Sequence, residues 1–225
     1  MERKKNSIQL NRKFEREDLR MMNEIALMIP DKIENLQLPA PELVTYWKND
    51  NDRIFWIEGE ILDTLFEYSK QIIRLNKEDK GIPVENREPI KFFIDSPGGD
   101  LETTLAFIGL VSISKTPIWM INAGTAYSAA GIILMSGHKR FALPNSQALI
   151  HTGSGQLGGT YSQTKEQMKN YDKMIDKMKN FIISHTNIDQ ELFDKNEDKD
   201  WYIYTDEQLS LGIVDKIVED LDEIL

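Results

Sequence analysis

The sequence predicts an α/β fold of repeated parallel βαβ units. Short runs rich in β-branched and aromatic residues, at 54–57, 90–94 and 118–122, alternate with stretches at 61–76 and 100–114 whose apolar residues recur at helical spacing. Each interval leaves room for one crossover helix, and such connections are right-handed. The uncharged run 117–137 reads as buried strand, small-residue turn and buried helix in direct succession.

Taken in order, residues 1–14 are polar and mixed in charge, which predicts a flexible arm. Leu19, Met22, Ile25, Ala26 and Ile29 share one face of a candidate helix over 15–29, which Pro30 stops. Residues 31–50 hold Pro39 and Pro41 and read as an irregular linker, with Leu36, Leu38, Leu43 and Val44 available for docking. The chain thus divides into an N-terminal segment, 1–50, and a domain, 51–225. Glu58-Gly59-Glu60 is expected to turn the chain after the first strand. The helix at 61–76 presents Ile61, Leu62, Leu65, Phe66, Ile72 and Ile73. Residues 77–89, charged and holding Gly81, Pro83 and Pro89, read as a surface loop.

The second strand is expected to end in the turn signal Asp95-Ser96-Pro97-Gly98-Gly99. The helix at 100–114 offers Leu101, Leu105, Ile108 and Val111. Short strands at 140–143 and 148–150 flank a Pro144-Asn145 turn, and the stretch 153–159 is too glycine-rich for a core element. A long helix over 160–186 carries a stripe of Met168, Tyr171, Met174, Ile175, Met178, Phe181 and Ile182, assigned to packing against the domain or a neighbouring subunit. A helix near 188–195, a strand near 201–203, a helix at 205–211 and a strand at 213–217 close the domain. No internal repeat is visible.

Composition removes several function classes. The chain has 225 residues and a net charge of −10, the wrong balance for a nucleic-acid partner. It has no cysteine, so a thiol nucleophile and a thiolate metal site are absent, and its three histidines leave little for a histidine metal site. No metal or cofactor is expected. The polar start Met-Glu-Arg-Lys-Lys-Asn is followed by no signal-peptide core. The run 117–137 is long enough to span a membrane, but Asn122, Thr125, Ser128 and three glycines within it suit a buried strand–turn–helix. A cytoplasmic protein without membrane contact is the expectation.

Four features carry chemistry. Ser128 lies in Gly124-Thr125-Ala126-Tyr127-Ser128-Ala129-Ala130-Gly131, between strand and helix, where small neighbours admit a substrate and a helix N-terminus offers free N–H groups. His151 directly follows the strand 148–150 and precedes glycines, a place for a general base. Asp200 enters the strand Trp201-Tyr202-Ile203 and would orient a histidine tautomer. Gly98-Gly99 after a strand leaves backbone N–H groups to meet an oxyanion. Each also fits a bland reading: a structural serine, a surface or core histidine, a capping aspartate in the acidic run 197–200, and a plain turn.

Together, in this order, they resemble the ClpP family, the proteolytic subunits of the Clp protease. The resemblance rests on 95–99, on Gly124-Thr125-Ala126-Tyr127-Ser128, on Lys139-Arg140-Phe141-Ala142-Leu143-Pro144-Asn145-Ser146, on Ile150-His151, on His185-Thr186, on Asp198-Lys199-Asp200 and on Gly212-Ile213-Val214-Asp215-Lys216-Ile217. It covers about residues 53–220. It implies the ClpP/crotonase-like fold with a protruding helix-plus-strand handle, and a serine endopeptidase acting on unfolded polypeptides. By resemblance Ser128 is the nucleophile, His151 the general base and Asp200 its orienting acid. Gly99 and Ala129 form the oxyanion hole, and Gly153, Ser154, Gly155 and Gln156 bind extended peptide. The resemblance also implies a homo-oligomer of stacked heptameric rings fed by an AAA+ unfoldase, with Asp198-Lys199 near the contact between rings.

Three places depart from the family. Residues 1–50 do not resemble its pore-lining N-terminus, so gating and ATPase coupling are not implied for them. Lys91 stands where an aromatic of the ATPase-docking pocket is expected. Tyr127 and Ala129 flank Ser128 where alanine and methionine are usual, and Tyr127 is expected to crowd or reshape the substrate pocket. Competing assignments are a signal-peptide-peptidase (SppA) or translocation-enhancing relative with a lysine base, a non-catalytic ring scaffold, and a crotonase-type acyl-CoA enzyme. The crotonase assignment leaves the serine, histidine and aspartate together unexplained.

Overall fold

The structure, a computed structural model, describes residues 45, 48–155 and 158–225. The chain falls into two units, Met1–Thr45 and Tyr46–Leu225, and the second carries everything below. The arm, the candidate helix over 15–29 and most of the linker lie outside the described residues. Residues 48–50, at the end of the stretch expected to be irregular, are helical together with Asn51.

Among the described residues one sheet runs β1 (Ile54–Ile61), β2 (Ile90–Gly99), β3 (Ile118–Tyr127), β4 (Lys139–Ala142) and β7 (Lys216–Ile217), all parallel. The ten-residue β3 is shared. Its first half pairs with β4, Trp119↔Lys139 through Asn122↔Ala142, and its second half pairs with β5 (Gln147–Ile150), Thr125↔Gln147 through Tyr127↔Leu149. β6 (Trp201–Tyr204) then adds antiparallel to β5. The helices are α1 (Leu65–Glu78), α2 (Leu101–Ile113), α3 (Ala129–Met135), α4 (Tyr161–His185), α5 (Gln190–Asn196) and α6 (Thr205–Ser210).

Successive strand residues face opposite sides, so the apolar runs of β2 and β3 feed two cores. Phe92, Ile94, Ile118 and Met120 join the core under α1, α2 and α3, whereas Phe93 and Ile121 join Phe141, Val218 and Ile224 on the other face. The helical faces differ in detail from expectation. α2 buries Thr103, Thr104 and Phe107 as well as Ile108 and Val111, and Asp100 caps it by accepting the Thr103 N–H at 2.6 Å. On α1, Leu62 and Phe66 near its start and Ile73 remain exposed while Leu65, Ile72 and Leu75 are buried.

Two expected turns are continuations of strands. The chain does not reverse at Glu58-Gly59-Glu60; Gly59, with φ 70°, makes a bulge, and the ladder resumes with Glu60↔Gly98 and Ile61↔Gly99. β2 likewise runs through 95–99, where buried Ser96 donates to Gly59 O at 2.5 Å and accepts from Gly98 N at 3.1 Å. These bonds satisfy groups that a plain turn would expose. The last strand is only Lys216–Ile217, not 213–217.

A buried ion pair anchors the start of β1. Arg53 donates twice to the Asp79 carboxylate, at 2.8 and 2.7 Å, and Thr116 Oγ1 adds a third bond at 2.8 Å. The Arg53 hydrogen bond, first among the causes, holds the Asp79 carboxyl below the usual carboxylate range. Its stabilisation is therefore present above that range and is lost as pH falls through it. Asp79 is 3% exposed on its side chain, so Asp79→Ala is expected to destabilise by about 3–5 kcal/mol in urea titration. At the far edge of β3, Ile118 N donates to His138 Nδ1 at 2.9 Å, a bond only the neutral ring accepts, and burial lowers the His138 pKa from 6.5. The unfolded chain takes up this proton first on acidification. Stability is expected to decline as pH drops below about 6.5, and His138→Gln to flatten that part of the profile, read by thermal melts.

Candidate active site

β3 delivers Ser128 to the sheet's edge, where its N–H donates to Leu149 O at 2.9 Å and its carbonyl accepts from Gly131 N at 3.0 Å to start α3. Ser128 takes φ 54° and ψ −122°, a rare conformation for a residue with a side chain. Such strain is characteristic of a nucleophile held on a sharp strand–helix elbow. Gly98 makes room for it: a Cβ there would lie 2.8 Å from Ser128 Cβ and 2.6 Å from Tyr127 O. Gly98→Ala, at φ 97° besides, is expected to displace the elbow and lower any Ser128-dependent rate by about 100-fold or more, measured as kcat/KM.

β5 ends at Ile150 and sets His151 opposite the serine, with His151 Nε2 2.6 Å from Ser128 Oγ. The β5–β6 ladder, closing on Ile150↔Trp201, brings Asp200 behind the ring, its Oδ1 3.4 Å from His151 Nδ1. A proton on Nδ1 faces Asp200 and leaves Nε2 free to accept from the serine hydroxyl; this tautomer is inferred from the partners. The three residues singled out in the sequence are thus together, although 23 and 49 positions separate successive members.

The pair opens onto a cavity of about 530 Å³. Gly98, Gly99 and Ala129 line it beside Ser128, and Ala129 opens α3, one of the helix-start N–H groups without a carbonyl partner inside the helix. Gly153 and Ser154 line it beyond His151, Gly155 does not, and Gln156 lies outside the described residues. Residues 151–155 join no ladder among the described residues. The far wall is apolar and comes from α4: Tyr171, Met174 and Met178. Tyr171 donates to Thr152 O at 3.2 Å, and its hydroxyl would sit 2.7 Å from a Cβ on Gly153, which explains that glycine.

The α4 stripe therefore has two roles. Met178 and Ile182 are buried in the domain core, whereas Met168 is 48% exposed and Tyr171 and Met174 face the cavity. Helical spacing revealed the stripe but cannot separate a core wall from a cavity wall. Tyr127 does not line the cavity, contrary to the expectation that it crowds the substrate pocket. Its hydroxyl donates to Gln147 Oε1 at 2.6 Å and its ring meets Tyr202, on the sheet face away from α3. Strand alternation is the reason: Ala126 joins the core beneath α3, so its neighbour Tyr127, the last residue of β3, turns to the opposite face.

Lys91 is buried, with Nζ donating to Leu225 O and lying 5.9 Å from the Trp119 ring. No lysine lines the cavity among the described residues. No cluster of three or more potential metal ligands occurs among the described residues, and no helix of theirs is long and apolar enough to cross a membrane.

The family model described as Clp protease matches residues 44–221, most of the chain. The chain belongs to the Clp protease family. A curated relative, ATP-dependent Clp protease proteolytic subunit 2 of Treponema denticola, is 32% identical over 139 residues, covering 61% of this chain and 70% of that protein. The ATP-dependent Clp protease proteolytic subunit of Deinococcus radiodurans is 26% identical over 206 residues, covering 89% of this chain and 97% of that one. The mostly parallel sheet with its packed helices is the ClpP fold, and the family and relatives together support a ClpP-type protease.

Proposed function

We propose that this Clp protease family member is a serine endopeptidase whose nucleophile is Ser128. The observation that carries the proposal is the 2.6 Å approach of His151 Nε2 to Ser128 Oγ at the mouth of a cavity. As a polypeptide carbonyl enters, Ser128 Oγ attacks the carbon and its proton passes to His151 Nε2. Asp200 stabilises the imidazolium from the Nδ1 side. The carbonyl oxygen, now anionic, accepts from the N–H groups of Gly99 and Ala129, each lowering the barrier by about 3 kcal/mol. His151 then returns its proton to the leaving amine. A water molecule, activated by the same histidine, hydrolyses the acyl-enzyme.

Peptide would lie extended along Gly153-Ser154-Gly155-Gln156, whose backbone groups, at least through 155, are not engaged in the sheet. The Met174 and Met178 wall would receive an apolar side chain. The peptidase domain spans 51–225, with 1–50 an appendage. The working form is a homo-oligomer of heptameric rings around a chamber, with an AAA+ unfoldase as partner. The relatives' names, which describe ATP-dependent proteolytic subunits, support the unfoldase.

Fluorogenic peptides with an internal apolar residue should be cleaved by the full chain, and light scattering should give a ring-sized mass. A monomer with full activity contradicts the chamber. A ring that cleaves nothing contradicts the peptidase.

A further inference from the structure

The Tyr127–Tyr202 pair lies on the reverse face of the sheet from the cavity. The ladders place Tyr127 of β3 and Tyr202 of β6 on either side of Leu149 of β5, in one row across three strands. Residues in such a row point to one face. The two rings reach over the intervening strand and meet edge to face, with centroids 5.8 Å apart and planes at 87°. The Tyr127 hydroxyl is fixed as well, donating to Gln147 Oε1 at 2.6 Å in the neighbouring row of β5.

This contact is notable for what adjoins it. Tyr127 immediately precedes Ser128, and Tyr202 follows Asp200 by two residues. The serine is anchored by its own backbone bonds and by the turn into α3, whereas Asp200 is weakly held. Its side chain is 58% exposed, and among the described residues it is paired only with His151, at 3.4 Å. β6 has four residues and, among the described residues, pairs with β5 alone. Direct support for β6 from the nucleophile strand comes from the tyrosine contact.

We infer that Tyr127 and Tyr202 are positioning residues: an aromatic clasp, running behind the sheet from β3 to β6, that sets the distance of Asp200 from His151 and Ser128. The inference rests on the peptidase reading above. Neither ring touches the cavity, so the clasp acts on orientation of the acid and not on substrate binding. Its loss lowers kcat and leaves KM unchanged. The ring is the working part of Tyr202, so phenylalanine substitutes for it.

The experiment measures kcat and KM of the full-length protein on a fluorogenic peptide for wild type, Tyr202→Ala, Tyr202→Phe, and each combined with Asp200→Asn. Thermal melting and light scattering are run on every variant. Tyr202→Ala is expected to lose about tenfold in kcat at constant KM, with Tyr202→Phe within about twofold of wild type. The readout that a merely structural role would not move is coupling: Asp200→Asn should cost about tenfold less in the Tyr202→Ala background than in wild type, because the aspartate is already misplaced there. Equal losses in both backgrounds, or an unchanged kcat in Tyr202→Ala, overturn the clasp and leave the peptidase standing. Should Tyr202→Ala fail to fold, Tyr202→Leu carries the same comparison. A wild-type protein that neither cleaves peptide nor forms an adduct at Ser128 with a serine-directed phosphonate overturns the peptidase reading, and the clasp with it.

Discussion

Ser128→Ala is expected to lower kcat by about a million-fold, with KM little changed, and His151→Ala to cost about the same. The two side chains act as one device. A serine hydroxyl is a poor nucleophile at neutral pH until a base removes its proton, and an imidazole with no hydroxyl before it has no proton to take. With Nε2 2.6 Å from Oγ, removal of either partner abolishes the same step. The double variant should accordingly be no worse than either single one. What remains is expected to be the rate supplied by the cavity and by the proposed oxyanion donors, the N–H groups of Gly99 and Ala129. Multiplicative losses in the double variant would show that the two residues act in separate steps.

Asp200→Asn is expected to cost about 10⁴-fold in kcat. An asparagine of the same shape turns an N–H₂ toward His151 Nδ1 or forces the ring into the tautomer whose Nε2 carries a proton and cannot accept from Ser128. The aspartate is exposed, and its 3.4 Å approach is loose for an ion pair. Geometry must therefore come from its backbone, which is why β6 and the Tyr127–Tyr202 contact matter to the chemistry. A loss of only a few-fold would mean that solvent, and not Asp200, orients the histidine.

Much of the fold is legible in the sequence because local pattern and tertiary need agree. The β-branched and aromatic runs at 54–57, 90–94 and 118–122 all lie in strands, and Thr160 caps the long helix through the Gln163 N–H. The failures share a cause. Gly59 and the segment Asp95 to Gly99 have turn composition, yet continue strands, since a bulge and the Ser96 hydroxyl satisfy the backbone across them. No local signal reports such long-range bonds. The same limit applies to the site. Ser128, His151 and Asp200 each carry a candidate role by position alone, yet each also fits a bland reading, and only their order and the family resemblance join them into one site. What brings them together is the division of β3 between β4 and β5, which no window of sequence contains. Tyr127 adjoins Ser128 in sequence, yet strand alternation turns its side chain to the other face of the sheet, against Tyr202.

The central claim is that Ser128 is an activated nucleophile. Its most direct test is incubation of the full chain with a serine-directed phosphonate, followed by intact mass and peptide mapping. The account predicts a single adduct on Ser128, absent from Ser128→Ala and slowed at least 100-fold in His151→Ala. An adduct mapped to another residue, or none while peptide hydrolysis proceeds, would contradict it.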